Sequence, residues 1–393
     1  MAIADKIQGF IAQSSWIRKM FEEGIQLKRE FGDENVFDFS LGNPNVEPPE
    51  ELKKELRLVV GEDLPGKHAY MPNAGYPETR EAIADFLSLE SNLTLLRDHI
   101  VMTVGAGGAL NVIFKTLLNP GEEVLIPVPY FVEYRFYVDN GGGVTRIVPT
   151  HADFSLDLQA IEDGITEKTK AVLINSPNNP TGKVYDAAAI HALAIILSRK
   201  SREYGNIIYL VSDEPYRDIV YDGVTVPSVL DAYPNSLMAF SYSKSLSLPG
   251  ERIGYIVAHP DCEHILDIMG GLVLCNRMLG FVNAPALMQR VIARVQGLKV
   301  DVGIYRGKRN LLCDGLASVG YAVQKPEGAF YLFLKTPIAD DVAFARALQK
   351  ERILTVPGSG FGGPGHIRIA YCVDDETIRN AIAGFGKVLK EFK

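Results

Sequence analysis

Between Ile100 and Val257 the chain switches its hydrophobic period again and again. Short runs of β-branched and apolar residues, His99–Val104, Glu123–Val128, Ala171–Asn175, Ile207–Asp213, Met238–Tyr242 and Arg252–Val257, read as strands. They are too continuously apolar to keep one face in water, so burial on both faces is expected. Stretches with helical spacing, such as Ala109–Leu118 and Ala187–Lys200, lie between them. The succession implies an α/β fold whose large domain holds a mostly parallel sheet covered by helices on both sides. In such open sheets ligands collect beyond the carboxyl ends of the strands.

Downstream, the helical stretches Asn283–Leu298 and Val302–Ser318 lead to shorter strands at Ala329–Lys335 and Gly365–Tyr371 and a closing helix, Asp375–Glu391. This reads as a smaller α+β domain. The amphipathic helix Ile11–Phe31 and the segment Leu41–Pro49 are expected to pack with it, so that both chain ends build it. The expected division is an arm and helix at 1–49, a large domain at 50–295 and a small domain at 296–393.

At 393 residues and 47% hydrophobic content, the chain can bury a large core. Its net charge of −8, without a long basic run, argues against nucleic-acid binding, because phosphate backbones need clustered Lys and Arg. Cys262, Cys275, Cys313 and Cys372 are scattered, without the close pairs of zinc or redox motifs, and read as reduced thiols of a cytoplasmic protein. Charged and polar residues run through positions 1–20, and no apolar run approaches a membrane span, so neither signal peptide nor anchor is expected.

Chemistry concentrates in Ser241-Tyr242-Ser243-Lys244-Ser245-Leu246-Ser247-Leu248-Pro249-Gly250-Glu251-Arg252-Ile253-Gly254. Most lysines are surface residues, but this one follows a buried strand in a loop that carries Leu246, Leu248 and Pro249. A primary amine there can hold an aldehyde. Arg252 can grip a phosphate through two parallel N–H bonds, with the Ser241 hydroxyl beside it. Together they suit a pyridoxal 5'-phosphate site.

That cofactor needs a fixed carboxylate beside its ring nitrogen. Asp213 ends the strand Ile207–Asp213, and Tyr216 follows three residues later, where its phenol can bond the ring's 3′ oxygen. A strand-end carboxylate can also simply cap a turn. Asn179, in Asn175-Ser176-Pro177-Asn178-Asn179-Pro180-Thr181-Gly182, can donate to the same oxygen, although Asn, Pro and Gly also make an ordinary turn. Gly105-Ala106-Gly107-Gly108-Ala109 joins a strand to a helix. Small residues there let backbone N–H groups approach an anion at the helix amino terminus, and a plain tight turn is the competing reading. The glycines match neither the dinucleotide fingerprint nor a P-loop. Arg368, on the apolar strand His366-Ile367-Arg368-Ile369-Ala370, needs an anionic partner, either a substrate α-carboxylate or a structural carboxylate. The run Val356-Pro357-Gly358-Ser359-Gly360-Phe361-Gly362-Gly363 could let that domain move over a substrate.

Taken in order, these motifs resemble the class I/II aminotransferases of the aspartate aminotransferase superfamily, fold type I of the pyridoxal phosphate enzymes. The resemblance runs from about Phe37 to the carboxyl terminus and is most specific in Ser241-x-Ser243-Lys244 with Gly250-x-Arg252-x-Gly254. It implies a seven-stranded type of sheet and Lys244 as the Schiff-base lysine and proton shuttle. It further implies Asp213 on the pyridine nitrogen and Asn179 with Tyr216 on the 3′ oxygen. Ser241, Arg252 and the Ala106 and Gly107 amides would hold the phosphate, Phe131 would stack on the ring, and Gly42 and Arg368 would line the substrate site. Tyr70, in His68-Ala69-Tyr70-Met71-Pro72, matches a tyrosine that family members lend to the neighbouring subunit's phosphate, which implies a homodimer.

The activity so implied is ping-pong transamination between an L-amino acid and a 2-oxo acid, nominally aspartate and 2-oxoglutarate, with alanine or aromatic amino acids as alternatives. Arg277 lies near the region where some relatives supply a cation for a distal carboxylate, but its register fits poorly and it reads rather as an interface or surface arginine. The scaffold is also similar to that of cysteine-S-conjugate β-lyases, and the motifs do not separate elimination from transfer. A non-catalytic regulator built on this fold would need a DNA-binding head, which the stretch before Phe37 is too short to supply.

Overall fold

The computed structural model describes residues 2–12 and 16–392. Its twelve strands are β1 (Phe37–Asp38), β2 (Ile100–Thr103), β3 (Glu123–Pro127), β4 (Val144–Val148), β5 (Thr169–Asn175), β6 (Tyr209–Asp213), β7 (Ser236–Ser241), β8 (Gly254–Ala258), β9 (Tyr331–Lys335), β10 (Ile353–Leu354), β11 (Val356–Pro357) and β12 (His366–Ala370). Seven of them form one sheet in the order β2-β8-β7-β6-β5-β3-β4. Only β8 runs against its neighbours; the rest pair in parallel. Right-handed crossovers are the usual outcome when strands and helices alternate this way, and they leave both faces covered.

Period-two alternation sends successive side chains to opposite layers. In β5, Val172 and Ile174 enter one core and Ala171 and Leu173 the other. Ile190, Leu193 and Leu197 of the helix Ala187–Tyr204 pack on the first face. Leu110, Ile113 and Phe114 of the helix Gly105–Leu117 pack on the second.

A third core lies between the helices Val302–Ser318 and Asp375–Glu391 and the antiparallel sheet β11-β12-β9, with Leu312, Ile367, Ile369 and Phe385 fully buried in it. The segment ahead of the large sheet joins this layer: β1 pairs in parallel with β10, and Phe39 is buried in the same core. Glu23 and Arg346 form an ion pair at 2.6 Å that fastens the amino-terminal helix to it. No helix among the described residues is long and apolar enough to cross a membrane.

Several boundaries differ from the sequence expectation, each for a local reason. The strand expected from Arg252 starts at Gly254, because Arg252 adopts a left-handed backbone (φ 51°). Ala329, also left-handed (φ 56°), delays β9 to Tyr331. Tyr242 leaves the β7 ladder and opens the short helical turn Tyr242–Ser245, capped by the Ser241 side chain. The helix expected over Asn283–Leu298 runs only from Ala286 to Ile292, starting after Pro285 and followed by a turn at Gly297. Of the helix expected over Ile11–Phe31, the described residues 11–12 and 16–31 are helical, within Asp5–Ala12 and Trp16–Phe31, and residues 13–15 lie outside the described residues. The edge strand β4 was missed because its polar, half-exposed alternation lacks the apolar continuity of the others.

Candidate active site

The parallel strands deliver their carboxyl ends to one side of the sheet, and a cavity of about 490 Å³ opens there. Asp213, Asn179, Ser241 and Lys244 reach it from the ends of β6, β5 and β7 or the loops that follow them. Ala106 and Gly107, in the first turn of the helix after β2, form another wall with Arg252. Gly42, Phe131, Tyr216 and Arg368 complete the set from four separate stretches of chain. All the expected site residues except Tyr70 therefore meet in one place. Tyr70 does not line the cavity and is 90% exposed. Arg277, at the end of the helix Ile265–Met278, is exposed and also outside the cavity. Between the adjacent aromatics, Phe131 lines the cavity and Tyr130 does not.

Lys244 keeps some surface toward the cavity but is otherwise packed in protein, and its Nζ donates to the Gly42 carbonyl at 2.8 Å. Burial lowers its pKa to about 8, with Arg368 and Arg252 pushing the same way and Cys372 opposing them. The neutral, nucleophilic form is therefore still the minor one at pH 7 but far more populated than in an ordinary lysine.

Asp213 is buried at the end of β6, where Tyr134 donates to its Oδ2 at 2.5 Å. Its Oδ1 is buried without a hydrogen-bond partner. Burial raises the carboxyl to about 7; the Tyr134 bond opposes that rise and the charge of Glu214 adds to it. The Asn175 side chain ties the local backbone together, donating to the Asp213 carbonyl at 2.8 Å and accepting from the Asn179 amide at 2.7 Å. The ends of β5 and β6 are thus stapled across the cavity floor.

Arg368, 1% exposed, donates through Nη1 to Asn179 Oδ1 at 3.1 Å and through Nη2 to the Ser40 carbonyl at 2.6 Å. Its guanidinium lies 4.6 Å from the Tyr331 ring centroid and 4.8 Å from that of Phe361. Its Nε is buried with no partner. No carboxylate is among its hydrogen-bond or ion-pair partners in the described residues, so the structural salt bridge left open by the sequence is not what holds it.

Arg252 donates to the carbonyls of Pro249 at 3.0 Å and Val104 at 3.3 Å, which sets its guanidinium at the amino terminus of the helix Gly105–Leu117. A Cβ on Gly105, which has φ +75°, would stand 2.9 Å from Arg252 Nη2, so glycine is what lets the two approach. A helix amino terminus, an arginine and the Ser241 and Ser243 hydroxyls, 2.7 Å apart, make a ready anion site.

Sequence reasoning missed Tyr134 and Tyr331. Tyr134 follows the cavity-lining Phe131 by three residues, a spacing that could have drawn attention to it. Tyr331 sits on β9 and gives no comparable signal; its hydroxyl lies 2.8 Å from that of Tyr216 only because two distant elements meet.

Comparison with known proteins agrees with this geometry. The family model for aminotransferase class I and II matches residues 34–385. The chain is 32% identical over 373 residues to the aspartate/prephenate aminotransferase of Thermus thermophilus, covering 93% of this chain and 94% of that protein. It is 31% identical to aromatic-amino-acid aminotransferase 2 of Thermococcus litoralis over the whole of both chains. Among solved structures, an aminotransferase from Eubacterium rectale superposes with a TM-score of 0.97 at 39% identity, with complete coverage of both chains. The Thermus thermophilus aspartate aminotransferase with maleate superposes with a TM-score of 0.85 at 29% identity, covering 99% of this chain and 100% of that one. With the fold, the cavity and these likenesses in agreement, the chain belongs to the class I and II aminotransferases of fold type I and is a transferase.

Proposed function

We propose that the protein is a pyridoxal phosphate-dependent aminotransferase that moves an amino group between an L-amino acid and a 2-oxo acid by a ping-pong mechanism. The observation that carries this reading is the buried, unpartnered Oδ1 of Asp213 in the same cavity as Lys244. Leaving such an atom unsatisfied costs about 1–3 kcal/mol, which a protonated ring nitrogen would offset. The anion site at Arg252 suits the phosphate and the Tyr216 phenol suits the 3′ oxygen, so the residues present fit the cofactor.

When bound, pyridoxal phosphate withdraws electrons from Cα of an attached amino acid. Asp213 keeps the ring nitrogen protonated. Arg368 would bind the substrate α-carboxylate and so fix the orientation of the amino acid in the cavity. Lys244, whose pKa is lowered to about 8, would be the amine that holds the cofactor's aldehyde and shuttles the substrate Cα proton. Gly42 offers that amine a carbonyl at 2.8 Å as a resting partner.

Aspartate with 2-oxoglutarate is the nominal pair, supported by relatives named for aspartate; an aromatic donor is supported by the Thermococcus litoralis relative. The 90% exposure of Tyr70 supports a homodimer in which this ring serves the partner's phosphate site.

The test is borohydride reduction of the protein with its cofactor, peptide mapping, and a panel of amino donors with 2-oxoglutarate. Label on Lys244 and formation of glutamate are expected. Label elsewhere, or pyruvate and ammonia from a cysteine conjugate with no amino transfer to any acceptor, would overturn the reading.

A further inference from the structure

Tyr331 is 2% exposed and touches three parts of the site at once. Its hydroxyl lies 2.8 Å from the Tyr216 hydroxyl. Its ring carries the Arg368 guanidinium at 4.6 Å from the centroid. Its hydroxyl also occupies the space beside residue 42, where a Cβ would come within 1.9 Å of it, so Gly42 is what admits the phenol. We propose that Tyr331 is a positioning residue that fixes both the proton of the Tyr216 phenol and the plane of the Arg368 guanidinium.

A phenol has one proton. In the reading proposed above, on which this inference rests, Tyr216 gives its proton to the 3′ oxygen of the cofactor. Tyr216 can then only accept from Tyr331, so the direction of the 2.8 Å bond is set: Tyr331 donates. Accepting that bond polarises the Tyr216 O–H and makes it the better donor. The second function uses the ring alone. The guanidinium packs over both the Tyr331 and the Phe361 rings, which restrains its plane and leaves its N–H groups for a planar carboxylate. The titratable groups that act on Tyr331 are Arg368 and Cys372 through their charges and Tyr216 through its hydrogen bond.

The two roles separate by mutation. Tyr331→Phe keeps the ring and removes the hydroxyl. A weaker donor at Tyr216 stabilises the anionic 3′ oxygen less, so the pH midpoint of the bound cofactor's absorbance should rise by roughly half a unit. KM for the amino acid should stay within about twofold, because the cation–π contact is retained. Tyr331→Leu should shift the midpoint equally and also raise KM by roughly fivefold. In a Tyr216→Phe background, adding Tyr331→Phe should move the midpoint no further, because the effect passes through Tyr216. A parent protein whose cofactor absorbance titrates while Tyr331→Phe and Tyr331→Leu titrate identically to it overturns this inference alone. So does a full additional shift in the double variant. A parent without borohydride-reducible cofactor at Lys244 overturns the proposed function and this inference with it.

Discussion

Tyr134 Oη and Asp213 Oδ2 stand 2.5 Å apart, and the other carboxylate oxygen of Asp213 has no hydrogen-bond partner among the described residues. One side of the carboxylate is therefore fixed by the protein and the other is left for a ligand. Tyr134→Phe should release the fixed side. Cofactor affinity and kcat are each expected to fall roughly tenfold, about the value of one hydrogen bond to a charged group. Asp213→Asn, which removes the charge itself, should cost roughly 100-fold or more in kcat. Cofactor titration and steady-state kinetics of both variants check this ordering; a Tyr134→Phe loss as large as that of Asp213→Asn would contradict it.

Replacing Gly42 by Ala drives a Cβ to 1.9 Å from the buried Tyr331 hydroxyl, so one of the two must move. Overpacking of this kind costs about 1–3 kcal/mol. Urea denaturation should show the loss, and kcat should fall because the carbonyl partner of Lys244 shifts with the backbone.

Arg368→Lys preserves the charge but not the planar fork packed over Tyr331 and Phe361. KM for the amino acid should rise roughly tenfold, with kcat changed only a few-fold. Initial-rate measurements separate the two constants, and an unchanged KM would remove Arg368 from the substrate site.

The cofactor-free protein should be weakened near pH 7–8 by two groups whose charged forms are disfavoured by burial. Asp213 is raised from 3.8 to about 7, so its contribution to stability is complete below pH 3.8 and lost as pH rises through 7. Lys244 is lowered from 10.5 to about 8, so its contribution is complete above pH 10.5 and lost as pH falls through 8. Between those values both groups carry unfavourable charge. On the proposed function, pyridoxal phosphate would neutralise the first by pairing and the second by bonding. The gain in Tm on adding it should therefore peak near pH 7–8, which calorimetry across pH 5–9 would reveal; a gain that does not vary with pH would refute the assignment of both groups.

Much of the site was legible because it sits where strands end. Asp213, Asn179 and Lys244 could be picked out by residue type, since a charge or amide directly after a fully apolar strand must lie at the sheet's carboxyl edge. Arg252 was legible as a cation, but neither its left-handed backbone (φ 51°) nor the carbonyl partners of its guanidinium at Pro249 and Val104, the second just past the end of another strand, could be read from the sequence.

The sequence by itself determined the sheet-and-helix alternation, the residue types at Lys244, Asp213 and Arg252 that make them candidates for one site, and the order in which they occur. Those features are written in local period and residue type, which a chain carries before it folds. Only the tertiary structure decided that Tyr134 would hold Asp213, that Tyr331 would meet both Tyr216 and Arg368, and that residue 42 had to lack a side chain. Such relations depend on distances between elements that are far apart in the chain. Packing sets those distances, and no short-range pattern encodes them.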